Sequence, residues 1–311
     1  VRKKSLFRKE NIMNCDITKL ETEQRNPGTM NLDEMSSTQI ATIMNIEDIK
    51  VVAAVRKEIP NISKAIDLCA KVYQQGGRII YMGAGSSGRY AVVDAVECPP
   101  TFGVSKDTFT ALLAGGHQAI WDSVEGAEDS KEMADKDIQE AKLTSKDVIV
   151  GLAASGRTPY VIEGLKVAKK MGLKIITISC NTNDLISKYA DISIHVVPGP
   201  EVLTGSTRLK CGTAEKLVLN MISTGTMVRS GKVYENLMVD VVQSNEKLKE
   251  RTENIIMAAT NCSEEEASKK LQEAKGECKP AIVSILLNCS IAEANDRLKK
   301  SKGFIRKAIK K

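Results

Sequence analysis

The sequence predicts an α/β fold: a three-layer sandwich with a central parallel sheet, followed by a small all-helical domain. Three observations carry this. Apolar runs of strand length alternate with stretches of helical periodicity through the middle of the chain. Two of those runs end in the same device, a glycine- and serine-bearing turn that opens a helix (YMGAGSSGR and GLAASGRTP). Beyond Lys247 the strands stop and short capped helices take over.

The elements follow in order. Apolar residues recur at helical spacing from Glu47 to Gln75, interrupted by Pro60, which gives two helices or one kinked helix. Arg78–Met82 is a buried strand, Gly83–Arg89 its turn, and Tyr90–Val96 a helix. Asp147–Leu152 repeats the strand, Ala153–Thr158 the turn, and Pro159–Met171 the helix, with proline in its first turn. Lys174–Ser179 and Ala190–Val197 are third and fourth strands, and Ala214–Ser230 is a long apolar helix. Helices at Ser263–Ala274, Pro280–Leu287 and Ser290–Lys300 close the chain, the first opened by a serine and three glutamates suited to a helix N-terminus. The expected organisation is an N-terminal extension and arm (1–48), a ligand-binding domain (49–240) and a C-terminal helical domain (241–311).

Composition narrows the function. At 311 residues and 33.8 kDa the chain can bury a large core. Aromatics are only 4%, which argues against stacking platforms for nucleic-acid bases. Much of the net charge of +6 comes from two basic ends, Val1–Lys9 and Leu298–Lys311, which read as solvated tails. Eight cysteines form no CxxC pair and only His117 and His195 accompany them, so a Cys/His zinc site is not expected and a reducing cytoplasm is. The longest apolar run, near Ala281–Leu287, is too short to cross a membrane, and no apolar segment of a signal peptide follows the basic start. Met13 is a candidate native start.

The two turns carry the chemistry. Gly83-x-Gly85-x-x-Gly88 matches a dinucleotide fingerprint, but the acidic residue expected at the end of the next strand is missing; Asp107 sits in a polar loop pattern. Two turns with hydroxyls beside helix-start N–H groups better suit a phosphate monoester. Ser86, Ser87, Ser155 and Thr158 are the candidate phosphate donors, with Arg89 and Arg157 adding charge or facing solvent or a partner. The plain alternative is a pair of tight strand-to-helix connections. Glu97, in DAVECPP, and Glu128, in VEGAED, belong to no obvious helical charge face and follow glycine-bearing stretches. Two carboxylates facing one pocket supply an acid and a base for breaking a carbon–oxygen bond.

A strand with a serine-rich turn, repeated later as strand-SGxT, resembles the SIS (sugar isomerase) domain, a fold that binds phosphosugars. The longer strings TEQRNPGTMNLDEMS, DAVECPPTFGV, VEGAED, GLAASGRTPYVI and GPEVLTGSTRLKCGTAEKLVLNMISTG are similar to those of the N-acetylmuramic acid 6-phosphate etherases, and Gly303-Phe304-Ile305-Arg306 resembles the family's C-terminal end. The resemblance implies a cytoplasmic, homodimeric, cofactor-independent lyase acting on a phosphorylated amino sugar. It implies that Glu97 protonates the departing lactate oxygen and that Glu128 removes the proton at C2. One position departs: the family string has Ser where this chain has Val96, next to the acid. Partial burial beside Pro99 and Pro100 would hold Glu97 protonated near neutrality. Glu201 is a candidate for a sugar hydroxyl or the dimer contact, and Ser206 and Thr207 either close over the sugar or cap the next helix. His117 is a pocket wall or a surface residue, His195 a structural strand residue, Glu125 and Asp129 flanking charges, and Lys210 and Lys216 substrate-attracting or solvated lysines. A phosphosugar isomerase on the same fold and a non-catalytic phosphosugar-responsive regulator, as in the glucokinase regulatory protein, are the competing readings.

Overall fold

A computed structural model describes residues 20–241 and 246–310; Met13, Cys15 and the basic Val1–Lys9 run lie outside the described residues. Short 3-10 turns between Glu21 and Glu34 lead into α1 (Ser37–Lys57), opened by a capping box in which Ser36 and Gln39 satisfy each other's backbone N–H. Glu58 then breaks the run, Pro60 sits in the first turn of α2 (Ile59–Gln74), and the predicted pair of helices is two rather than one.

The sheet follows. β1 (Ile79–Gly83) feeds α3 (Gly85–Phe102), which returns to β2 (Phe109–Leu113). After α4 (Lys131–Glu140) come β3 (Val148–Leu152), α5 (Pro159–Lys170), β4 (Lys174–Ser179) and β5 (Ile192–His195). All five strands are parallel in the order β2-β1-β3-β4-β5. Four strands were predicted; β2 is the addition, and α3 runs past its predicted end at Val96 through Pro99 and Pro100. Alternate residues of β1 point to opposite cores. Ile79 and Tyr81 pack with α2, α3 and α6 (Lys210–Arg229), while Ile80 and Met82 pack with α4 and α5.

A two-stranded hairpin, β6 (Val233–Tyr234) with β7 (Leu237–Met238), leaves the sheet layer. It joins a third core built by α7 (Glu246–Thr260), α8 (Glu264–Glu273), α9 (Cys278–Leu287), α10 (Ile291–Lys300) and α11 (Ile305–Ala308). Gly103 marks where the sheet layer meets this region. It ends α3 with φ +59°, and a Cβ there would stand 2.1 Å from the Asp240 carbonyl oxygen, so only glycine fits.

The N-terminal arm clasps loops far along the chain. Thr22 and Asn181 exchange hydrogen bonds, Asn26 donates to the Pro200 carbonyl, and Thr29 donates to the Val202 carbonyl at 2.9 Å. Deeper in, Lys210 is fully buried with its Nζ 2.7 Å from Glu47 Oε2 of α1. Burial opposes the Glu47 charge, but the hydrogen bonds from Lys210 and Lys50 win and hold its carboxyl below the usual range. No helix among the described residues is long and apolar enough to cross a membrane.

Candidate active site

β1 and β3 are neighbours in register, Gly83 beside Leu152, so the two serine-bearing turns leave the same edge of the sheet side by side. The glycines make the first turn possible. Gly85 begins α3 at φ +53°, and a Cβ on Gly88 would stand 2.7 Å from the Gly83 carbonyl oxygen and 2.4 Å from Leu113. Neither helix start has a side-chain cap: Ala84 precedes α3, and Thr158 precedes α5 without a capping hydrogen bond. The first-turn N–H groups of both helices therefore remain open toward the same edge, where an anion is favoured. Ser86 is half-buried in this turn, and Ser155 accepts the Arg157 N–H at 3.2 Å. Ser87 is buried, with its Oγ 2.8 Å from Glu215 Oε1 on α6.

Glu128 lies beside the first turn. It borders a cavity of about 190 Å³ together with Gly85, Arg89, Val124 and Glu125. The Arg89 guanidinium donates to the carbonyls of Ala119, Ile120 and Asp122, tying down the loop that leads to Glu128. The predicted charge near the phosphate thus also acts as a loop anchor. Arg157 donates to the Asn183 carbonyl at 2.9 Å.

Glu97 differs from its expectation. It sits within α3, not in a loop, and it is exposed in the single chain, so Pro99 and Pro100 do not bury it. It stands ten residues beyond Ser87, about 15 Å along the helix axis. In the single chain Glu97 does not line the cavity that Glu128 borders. Val93 and Val96 beside Glu97 are 58% and 59% exposed, an apolar stripe one turn long. Exposed His117 rims a second cavity of about 480 Å³ that Val96 and Pro99 also line.

Curated relatives bear on this geometry. The N-acetylmuramic acid 6-phosphate etherase of Geobacillus sp. (strain WCH70) is 55% identical over 294 residues, covering 94% of this chain and 100% of that protein. The chain belongs to the N-acetylmuramic acid 6-phosphate etherase family. The etherases of Geobacillus thermodenitrificans (strain NG80-2), 53% identical over 94% of this chain and 99% of its own, and Aliivibrio fischeri (strain MJ11), 48% over 96% and 99%, agree. The glucokinase regulatory protein N-terminal SIS domain matches residues 61–169 and the SIS domain matches residues 128–223.

Against this etherase-family background, several predicted residues change role. Glu201 is fully buried, and its two carboxylate oxygens accept the backbone N–H groups of Lys210 and Cys211 at 3.0 and 2.9 Å. It caps α6 and presents no face to a sugar, which corrects the sugar-binding expectation. Ser206 and Thr207 are half-buried in the loop before α6, and neither caps it: Leu209, the residue just before the helix, has no capping side chain, and the Glu201 carboxylate takes that place. Lys210 neither meets solvent nor waits for an anion, because Glu47 and the carbonyls of Pro198 and Pro200 consume its donors. Lys216 is exposed, as are Glu125 and Asp129. His195 ends β5 with Nε2 3.0 Å from Asp184, in keeping with a structural role.

Glu215 is the residue that sequence reasoning missed. It is 1% exposed, and burial pushes its carboxyl up to about 8, against a smaller downward pull from the Ser87 hydroxyl. The signal was present: Glu215 falls on the apolar stripe of α6 between Cys211, Ala214 and Val218, where a solvated glutamate has no place.

Proposed function

We propose that this chain cleaves the D-lactyl ether of N-acetylmuramic acid 6-phosphate, giving N-acetylglucosamine 6-phosphate and D-lactate, in cytoplasmic recycling of cell-wall amino sugars. The observation that carries the reading is the pair of uncapped helix starts, α3 and α5, emerging side by side from adjacent strands with Ser86, Ser87, Ser155 and Thr158 on them. Such a site accepts a phosphate dianion on backbone N–H groups and hydroxyls. Glu128, next to the α3 start, takes the C2 proton of the open-chain sugar, whose carbonyl makes that proton acidic. The freed electron pair forms the C2–C3 double bond as the C3–oxygen bond breaks. Glu97 gives its proton to the leaving lactate oxygen. Water then adds at C3 with Glu97 as base, and Glu128 returns a proton to C2, so atoms and charges balance.

The reach of the substrate favours a homodimer with shared sites. Phosphorus to the C3 oxygen spans roughly 7 Å at ordinary bond lengths. Glu97 lies about 15 Å up α3 from the phosphate turn, and its side chain recovers only about 4 Å of that. A second copy contributing its own Glu97 to this chain's Glu128 closes the gap. The exposed Val93 and Val96 beside Glu97 support that face as the contact.

Purified protein is expected to release D-lactate from N-acetylmuramic acid 6-phosphate; a folded dimer that releases none sinks the reading. Glu97→Gln and Glu128→Gln homodimers are each expected to be inactive. Refolding the two variants together should restore about a quarter of wild-type activity, since half the dimers are mixed and each has one intact shared site. An inactive mixture containing confirmed mixed dimers would place both glutamates in one chain's site.

A further inference from the structure

Glu215 has no place in the elimination chemistry, yet it is joined to the proposed phosphate turn through one hydrogen bond to Ser87. Two acceptor oxygens, Glu215 Oε1 and Ser87 Oγ, stand 2.8 Å apart in a buried site, so one proton must lie between them. If Glu215 is a carboxylate, the single hydroxyl hydrogen of Ser87 must occupy that position. Ser87 then has nothing to donate to a phosphate oxygen. If Glu215 is a neutral acid, it donates to Ser87 Oγ, and the serine hydrogen is free for the ligand.

We propose that Glu215 is a positioning residue that works as a neutral acid, so that protonation of this buried side chain switches Ser87 between donating to the phosphate and donating inward. The inference rests on the phosphate role of Ser87 proposed above. The surroundings favour the neutral form. A neighbouring ionisable group on α6 is the Cys211 thiol, and across from it past the end of β4 is the Cys180 thiol; the contact with Cys211 and burial push Cys180 up, and burial outweighs the pull of that contact to push Cys211 up, so neither brings a positive charge. Glu201 adds a carboxylate at the start of the same helix. From α3, Tyr90 packs against Gly212, and the Arg89 guanidinium is turned away to the carbonyls of residues 119–122. The Lys210 ammonium is held by Glu47. Among the described residues a carboxylate at Glu215 therefore has a hydroxyl partner but no cation, and burial pushes the group up to about 8.

The consequence is a ligand affinity that falls as pH rises. A phosphate monoester is already a dianion above neutrality, since its second ionisation lies near 6, so it does not titrate in this window. At about pH 9.5 only about 3% of Glu215 stays neutral, and if only that form binds, the dissociation constant rises about 30-fold from its value near pH 7. The test is titration calorimetry of N-acetylglucosamine 6-phosphate on the full-length wild-type protein across that range, alongside Glu215→Gln and Ser87→Ala. A glutamine amide donates to Ser87 Oγ at every pH, so Glu215→Gln should hold its dissociation constant within about twofold across the range. Ser87→Ala should also lose the pH dependence, with weaker binding throughout, and it supplies this arm should the glutamine variant misfold. A wild-type affinity that stays flat to about pH 9.5 overturns the switch while leaving the phosphate turns intact. A Glu215→Gln profile that falls like the wild type overturns it too. No binding by folded wild-type protein at any pH, or unchanged affinity in Ser87→Ala, would instead refute the phosphate role of Ser87 and the switch with it.

Discussion

Glu215→Gln also changes stability, with a sign and size that follow from its burial. The glutamate carboxyl has an ordinary value of 4.5 and is pushed up to about 8 in the folded chain. Below 4.5 it is neutral in folded and unfolded protein alike. Between 4.5 and about 8 the folded chain keeps the proton and the unfolded chain releases it, so folding becomes less favourable as pH rises. Each pH unit in that window removes about 1.4 kcal/mol. At pH 7 the accumulated loss is about 3 kcal/mol, and above about 8 it levels off. Glutamine has no such proton, while its amide keeps the bond to Ser87 within an unchanged volume. The variant is therefore expected to gain on the wild type by about 2–3 kcal/mol between pH 5 and pH 7. Urea unfolding at fixed protein concentration measures the difference, with ligand absent so that linkage to binding does not enter. A wild-type-to-variant difference that does not move with pH would show that Glu215 keeps its charge when buried, and the reasoning would fail.

Glu47→Ala should destabilise by about 3–5 kcal/mol, because it leaves the Lys210 ammonium buried with only carbonyl partners. The double variant Glu47→Ala, Lys210→Met should recover most of that loss in the same urea assay. Gly103→Ala should lower the melting temperature by several degrees: it forces a left-handed residue to carry a Cβ, and that Cβ meets the Asp240 carbonyl oxygen. A melting temperature within a degree of the wild type would mean that the end of α3 and the Asp240 segment separate freely.

Much of the fold was legible because its strands are apolar runs bounded by glycine turns. β1 and β3 have that form, β4 is an apolar run preceded by Gly172, and β5 (ISIH) shows instead as an alternating strand. β2 was not, since Phe109–Leu113 follows the polar Ser105–Thr108 and is only half covered by its neighbours. α4 escaped notice for a related reason: only Ala134 and Ile138 of its ten residues are buried, too few for a visible stripe. The predicted helix stops at Val96, ahead of Pro99 and Pro100. α3 instead absorbs both within its last turn and stops at Gly103. The two serine-bearing turns were legible because glycine, serine and a following helix are a local signal. The fates of Glu201, Lys210 and Glu215 were not. Each depends on which distant segment arrives beside it, and Glu47 reaches Lys210 from 163 positions away.

The clasp between the N-terminal arm and the far loops sets an order of events during synthesis. Thr22, Asn26 and Thr29 find their partners 159 to 174 residues downstream. None of these contacts can form on the ribosome until β4 and the 198–202 segment have emerged. α1 must likewise wait for α6 before Glu47 can lose its water to Lys210. The arm is made before the sheet yet is fastened only after β4 and the 198–202 segment exist, and contacts of such long sequence separation slow folding. Asn181, which Thr22 grips, also donates to the Ala154 carbonyl, so the arm acts as a latch on the second serine turn that can close only once β4 and the 198–202 segment are made.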